Sequence, residues 1–133
     1  MKDAGIARGD TYVTNAVKHF KWEPRGKRRL HKKPSPREIA ACRPWLEAEL
    51  QSVRPRTVIC LGATAAAAIL GPKVRVMRDR GRVLSSTLAH RVFVTVHPSL
   101  LLRLADRDDA DEQYRLFVHD LHAAGKDAGV IRP

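Results

Sequence analysis

The 133-residue sequence has little of several things that would place it quickly. It has two cysteines, Cys42 and Cys60, which is too few for the disulfide framework of a small secreted domain and fits a reducing cytoplasm. No apolar run approaches the roughly 18 residues of a membrane span. The N-terminus lacks the apolar centre of a signal peptide. There is no internal repeat and no low-complexity segment. Acids are scarce, 14 Asp and Glu against 25 Lys and Arg, for a net charge of +11. These absences exclude a membrane-spanning chain, a repeat array and a disulfide scaffold. They leave a cytoplasmic protein whose partner is a polyanion, and nucleic acid is the commonest one. The bland alternative is solubilising surface charge, but the cations cluster instead of scattering.

The cluster is residues 18–37, KHFKWEPRGKRRLHKKPSPR, with nine Lys or Arg and one acid, Glu23. It has no apolar run and no helical period. It is long for a connection, and long loops in compact domains are usually functional or disordered. A second basic segment, RVMRDRGRV, follows at 75–83. A loop near the ligand end of a sheet, adding phosphate contacts, and a merely solvated loop are equally compatible with it.

The rest reads as an α/β domain. Residues 2–6 look like the tail of a helix, with Gly5 as a possible cap. Residues 11–17, TYVTNAV, are β-rich and predict a strand. Ser35, Pro36 and Glu38 are a helix start, with N-cap, N1 proline and capping box. Ile39, Cys42, Leu46, Leu50 and Val53 then recur at helical spacing. Residues 57–61, TVICL, predict a strand buried on both faces. Gly62 turns the chain into an alanine-rich helix ended by Gly71-Pro72. This is a βα unit but too glycine-poor for a phosphate loop, and close helix–strand packing explains Gly62 better. Residues 91–96, RVFVTV, predict another buried strand, running into His97-Pro98-Ser99. Tyr114, Phe117, Val118 and Leu121 give a last helix its apolar face, with His119 and His122 toward solvent and a frayed tail from Gly125. Alternating strands and helices predict a three-layer α/β/α sandwich with a mainly parallel central sheet, in one domain over residues 1–133.

Two polar residues then fall at strand ends, where open parallel sheets place ligands. Asn15 closes the first predicted strand, as a turn residue or a ligand contact. His97 follows the last one, as a structural histidine or a functional one.

Taken together, YVTNAVK (12–18), ACRPWL (41–46) with LGATA (61–65), and HPSLL (97–101) resemble the iron–sulfur uracil-DNA glycosylases of the family 4 type. The KRRLH run at 27–31 is similar to the signature loop of the UdgX branch, usually KRRIH. The resemblance spans nearly the whole chain, in order. It implies the uracil-DNA glycosylase sandwich, activity in base excision repair and uracil-containing DNA as partner, single-stranded for choice and met as a monomer. Asn15 would bond the uracil edge. His97 would face the uracil carbonyl and stabilise the departing anion. Ser99, Leu100 and Leu101, with Leu102 behind them, would lie on a loop that enters the base stack. His31 would attack C1′ and stay joined to the DNA. Lys27, Arg28, Arg29, Lys32 and Lys33 around it would grip phosphates and keep it neutral by like-charge repulsion. The plainer account of His31 is an ordinary member of that grip.

The resemblance also implies a [4Fe–4S] cluster on four side chains, normally cysteines. Cys42 matches one ligand, and His19 stands where the pattern has a second. The other two belong to an upstream Cys-x-x-Cys segment not present in these 133 residues, and Cys60 reads as core. The acid-bearing motif near the reaction centre, the stacking aromatic and the first strand are upstream as well. A truncated family domain is therefore expected. The competing expectation is a non-catalytic nucleic-acid-binding fragment of such an enzyme.

Overall fold

The computed structural model describes residues 1–17, 22–25, 28–31 and 33–131, with backbone alone for 22–25 and 28–31. The chain begins with a 3₁₀ turn over Lys2–Ala4 that Gly5 caps in a left-handed conformation, as its sequence predicts. Within the basic stretch, β1 (Trp22–Arg25) and β2 (Arg28–His31) form an antiparallel pair in which Trp22 faces His31.

The sandwich starts at α1 (Pro36–Val53), where the Ser35 hydroxyl accepts the Glu38 N–H at 3.2 Å and Pro36 occupies the first turn. The N-cap and first-turn proline of the predicted helix start are present, and the Ser35 contact satisfies a donor that an uncapped first turn leaves orphaned. Next come β3 (Val58–Leu61), α2 (Ala63–Leu70), α3 (Val76–Asp79) and β4 (Val92–Thr95). The short α4 (Pro98–Arg103) and the long α5 (Ala110–Asp127) complete the chain.

β3 and β4 pair in parallel from Val58↔Val92 to Leu61↔Thr95. Successive side chains of a strand face opposite ways, and both faces here are covered. Cys60, Val92 and Val94 pack with Leu46 of α1 and with Ala66, Ala68 and Ile69 of α2. Ile59 and Leu61 pack on the other side with Leu121 of α5 and with Ala4 and Ile6. That is three layers, helix, sheet, helix, and it explains why both strands read as continuous apolar runs. Cys60 is 1% exposed, and burial pushes its thiol up to about 12, so it is core as expected.

Four local expectations need correction. Residues 11–17 form no strand: 11–15 carry no regular structure and 16–17 bend. Their β-rich composition is not enough without a neighbouring ladder, and Tyr12 and Val13 lie exposed. The segment is held instead by the Tyr12 hydroxyl, which donates to Glu49 of α1 at 2.7 Å, and by Ala16 against the core. Residues 76–79 are helical and not loop, and the middle of the basic segment lies near the carboxyl end of β4, where the Gly81 N–H bonds the Val94 carbonyl at 3.2 Å. Leu84 bridges Val92, so the chain passes back toward the start of β4. On α5, His119 is exposed but His122 is half-buried, its Nδ1 3.0 Å from the Ala4 carbonyl oxygen. The end of the chain is not frayed up to Ile131. It folds back so that the Val130 N–H bonds the Gly125 carbonyl at 3.0 Å. A Cβ at Gly125 would sit 2.5 Å from the end of the Ile131 side chain and 3.0 Å from the Ile6 side chain, so a larger residue there would force these side chains to shift. No helix of the described residues is long and apolar enough to cross a membrane.

Two carboxylates brace this frame. Asp79, 3% exposed, accepts from both Arg78 and Arg82 and from the Arg75 N–H at 2.9 Å. These bonds, Arg78's first, hold its carboxyl well below the usual carboxylate range. Asp127 accepts from Arg91 and from the Thr57 hydroxyl, and Arg91 lowers its carboxyl too. A group whose folded pKa is depressed stabilises the fold above its unfolded value, near 4 for Asp, and loses that contribution as pH falls toward the folded value. Thermal melts by circular dichroism should thus be flat from neutral pH to about 5 and drop steeply below about 4. Asp79→Asn should flatten that acid limb.

Candidate functional site

The carboxyl ends of β3 and β4 meet at two residues, Gly62 and His97. The Gly62 N–H bonds the Thr95 carbonyl at 2.9 Å. Gly62 has φ 90°, and a Cβ there would lie 3.0 Å from the Cβ of His97. The glycine therefore serves more than helix–strand packing: it lets the βα turn pass directly against the histidine.

His97 is the N-cap of α4, and Pro98 takes the first helical position. Its Nδ1 accepts the Ser99 backbone N–H at 3.1 Å and lies 2.9 Å from the Ser99 hydroxyl. An Nδ1 that accepts from an amide carries no proton, so the neutral ring carries its proton on Nε2. The ring is exposed, and the loop thus presents one fixed N–H donor beyond the end of a fully buried strand. Sequence reasoning gave Ser99 a DNA contact. Its described contacts are with His97, which a helix-capping reading of His-Pro-Ser would have anticipated.

Behind His97, α4 carries the three leucines. Leu100 and Leu101 are half-buried and Leu102 is 79% exposed, so Leu102 projects furthest. Asn15 is exposed, two residues beyond Val13 and next to the anchored Ala16. Lys33 is exposed just before the α1 cap. His31 ends β2, with Arg28 and Arg29 on the same strand, and their side chains lie outside the described residues. Lys27, Lys32 and His19 lie outside them altogether. The structure thus brings His97, Ser99 and Gly62 together and leaves Asn15 and Lys33 on separate segments.

Sequence reasoning missed a buried polar group beneath this loop. Asp120 of α5, 6% exposed, accepts from the Thr95 hydroxyl at 2.6 Å and from Arg80 Nε at 2.8 Å. It joins the basic segment, the last helix and the end of β4.

A sequence model described as the uracil DNA glycosylase superfamily matches residues 1–122. The chain belongs to that superfamily. It is 33% identical over 125 residues to a type-4 uracil-DNA glycosylase of Thermotoga maritima, covering 93% of this chain and 59% of the relative. It is also 30% identical over 106 residues to a type-4 uracil-DNA glycosylase of Pyrobaculum aerophilum, covering 74% and 50%. A type-5 uracil-DNA glycosylase of the same organism is 35% identical over 103 residues, covering 75% and 41%. The chain therefore spans about half the length of these relatives.

Within the superfamily, His97 stands at the end of a strand that the fold buries on both faces, with its tautomer fixed. The cluster implied by the resemblance finds less support. Cys42 is 1% exposed on α1, and Cys60 is a protonated core thiol. Among the described residues no three His, Cys, Asp or Glu converge as a metal-holding group. The described residues do not fit a four-ligand iron–sulfur cluster.

Proposed function

We propose that this chain recognises uracil in single-stranded DNA, breaks the N-glycosidic bond and is captured on the DNA through His31, as a monomeric base-excision repair protein of the cytoplasm. The observation that carries the catalytic half of this reading is the Nδ1 contact of His97 with the Ser99 N–H. A base must leave the stack before it can be worked on. Leu102, with Leu100 and Leu101 behind it, is suited to fill the gap the base leaves. When C1′–N1 breaks, its electron pair goes to uracil N1 and the charge spreads to the ring oxygens, while the sugar becomes positive. A donor held at one oxygen, here His97 Nε2–H, lowers that barrier. Asn15 would read the uracil edge.

Water ordinarily captures the sugar. The KRRLH run supports a different ending, in which a neutral imidazole nitrogen of His31 bonds C1′. The imidazolium formed then gives its N–H proton to solvent, and the uracil anion takes one. The backbone position of His31 at the end of an antiparallel pair is compatible with a held nucleophile. Lys27, Arg28, Arg29, Lys32 and Lys33 supply phosphate contacts.

The competing reading is a nucleic-acid-binding fragment without catalysis. The basic stretch supports it equally, because phosphate contacts need neither a metal cluster nor a reacting side chain. A denaturing gel separates the two. With a labelled single-stranded oligonucleotide carrying one uracil, covalent capture gives a band shifted by the protein's mass, absent with thymine and absent in His31→Ala. No shifted band and no abasic product, with salt-sensitive binding to any DNA, would establish the fragment reading.

A further inference from the structure

We infer that the basic depression beside the start of β4 is a second contact for the nucleic-acid backbone, engaging phosphates that flank the nucleotide held at His97. The inference rests on the reading of the chain as a DNA-acting protein. The depression is open, about 660 Å³, and is lined by Lys73, Arg78, Asp79, Arg82, Ser85 and His90 among others. Its place follows from the topology. Leu84, in its wall, bridges the first residue of β4, and His90 lies two residues before that strand. His97 lies two residues beyond it. Seven residues separate His90 from His97, at most roughly 20 Å at about 3.3 Å each, and Arg82 lies nearer because the neighbouring Gly81 N–H bonds the Val94 carbonyl.

The charge there is organised. Between Lys73 and Arg82, leaving aside Arg80 on Asp120, four cations stand against one acid. That acid, Asp79, is buried and saturated by Arg78, Arg82 and the Arg75 N–H. It ties two guanidiniums to one point while their side chains stay 63% and 61% exposed. Arg78 Nη1 and Arg82 Nη1 and Nε have no partner among the described residues. Guanidiniums already immobilised lose less entropy on meeting a phosphate. Arg75, outside the lining but next to Val74 in the wall, is held likewise by the Pro72 and Val74 carbonyls, and Lys73 in the lining is exposed. A solvated patch that only served Asp79 would need neither Lys73 nor the Arg75 guanidinium. Successive phosphates of one stacked strand rise about 3.4 Å along its axis, so a gap of up to roughly 20 Å is spanned by six nucleotides or fewer.

The test is fluorescence anisotropy across a salt series, with uracil at the centre of an oligonucleotide of about five nucleotides or of about thirty. The variants are Lys73→Gln and Arg75→Gln, which leave Asp79 its two arginine side-chain partners. On the long DNA each variant should reduce the slope of log K against log salt by about 0.7. On the short one the slope should not change, because the flank cannot reach. No change on the long DNA, or an equal change on both lengths, would overturn the inference. Thymine-centred versions keep the two readings apart. If uracil and thymine bind alike, the uracil reading has failed, and the surface is then judged on the long DNA alone, where a reduced slope still supports it.

Discussion

Replacing His97 with Ala is expected to slow uracil release by about 10²–10³-fold, which is the usual cost of removing one preorganised donor to a developing oxyanion. Affinity for uracil-containing DNA should change only a few-fold, since the donor acts mainly where negative charge builds up in the transition state. The geometry makes the expectation specific. Nδ1 is committed to the Ser99 N–H, so the ring has one proton to offer, and it is on Nε2. Ser99→Ala removes the hydroxyl but keeps the backbone N–H, and should cost far less than His97→Ala. Single-turnover assays at saturating protein, scored as abasic sites after alkali, separate rate from binding. An unchanged rate in His97→Ala would remove this residue from the chemistry. Equal losses in the Ser99 and His97 variants would show that loop shape matters more than the donor.

The same comparison bears on Gly62. Its backbone bond to Thr95 and its lack of a Cβ set how closely the βα turn approaches His97. The site is made less by the histidine alone than by two strand ends brought to the same level by the register Leu61↔Thr95.

Much of the frame was legible because its code is local. Ser35, Pro36 and Glu38 announce a helix start in four residues, and the contact they predict is present. The runs TVICL and RVFVTV are apolar on both faces because both faces are covered, so β3 and β4 could be read without knowing what covers them. Residues 11–17 were misread because a strand exists only with a partner, and nothing in TYVTNAV says whether one is adjacent. His122 was misread because helical spacing fixes a face but not which distant turn packs on it, here the one at Ala4. At the site, His-Pro-Ser after a buried strand could be picked out by position. Asp120 could not: on the sequence it is one acid of α5 beside Asp111 and Glu112, and its partners Thr95 and Arg80 lie 25 and 40 residues away.

Asp120 should be the residue whose loss costs the fold most. Asp120→Ala leaves the Arg80 guanidinium, whose side chain is 11% exposed, without its counter-charge, and leaves the Thr95 hydroxyl without its acceptor. Removing one partner of a buried ion pair typically costs about 3–5 kcal/mol, against a total of roughly 5–15 kcal/mol for a domain of this kind. Urea unfolding followed by circular dichroism should show the midpoint falling with little change in slope. The cause would be the stranded charge and not a lost attraction, and a second variant isolates it. Arg80→Met with Asp120→Leu and Thr95→Val replaces the whole group by apolar side chains of similar size. Such replacements are often neutral, so this triple variant should recover most of the loss. If it is as unstable as Asp120→Ala, the group holds the frame through its hydrogen bonds, and the end of β4 that carries His97 depends on Asp120 directly. If it is stable but releases uracil slowly, the polar group is kept for the position of His97 and not for the fold.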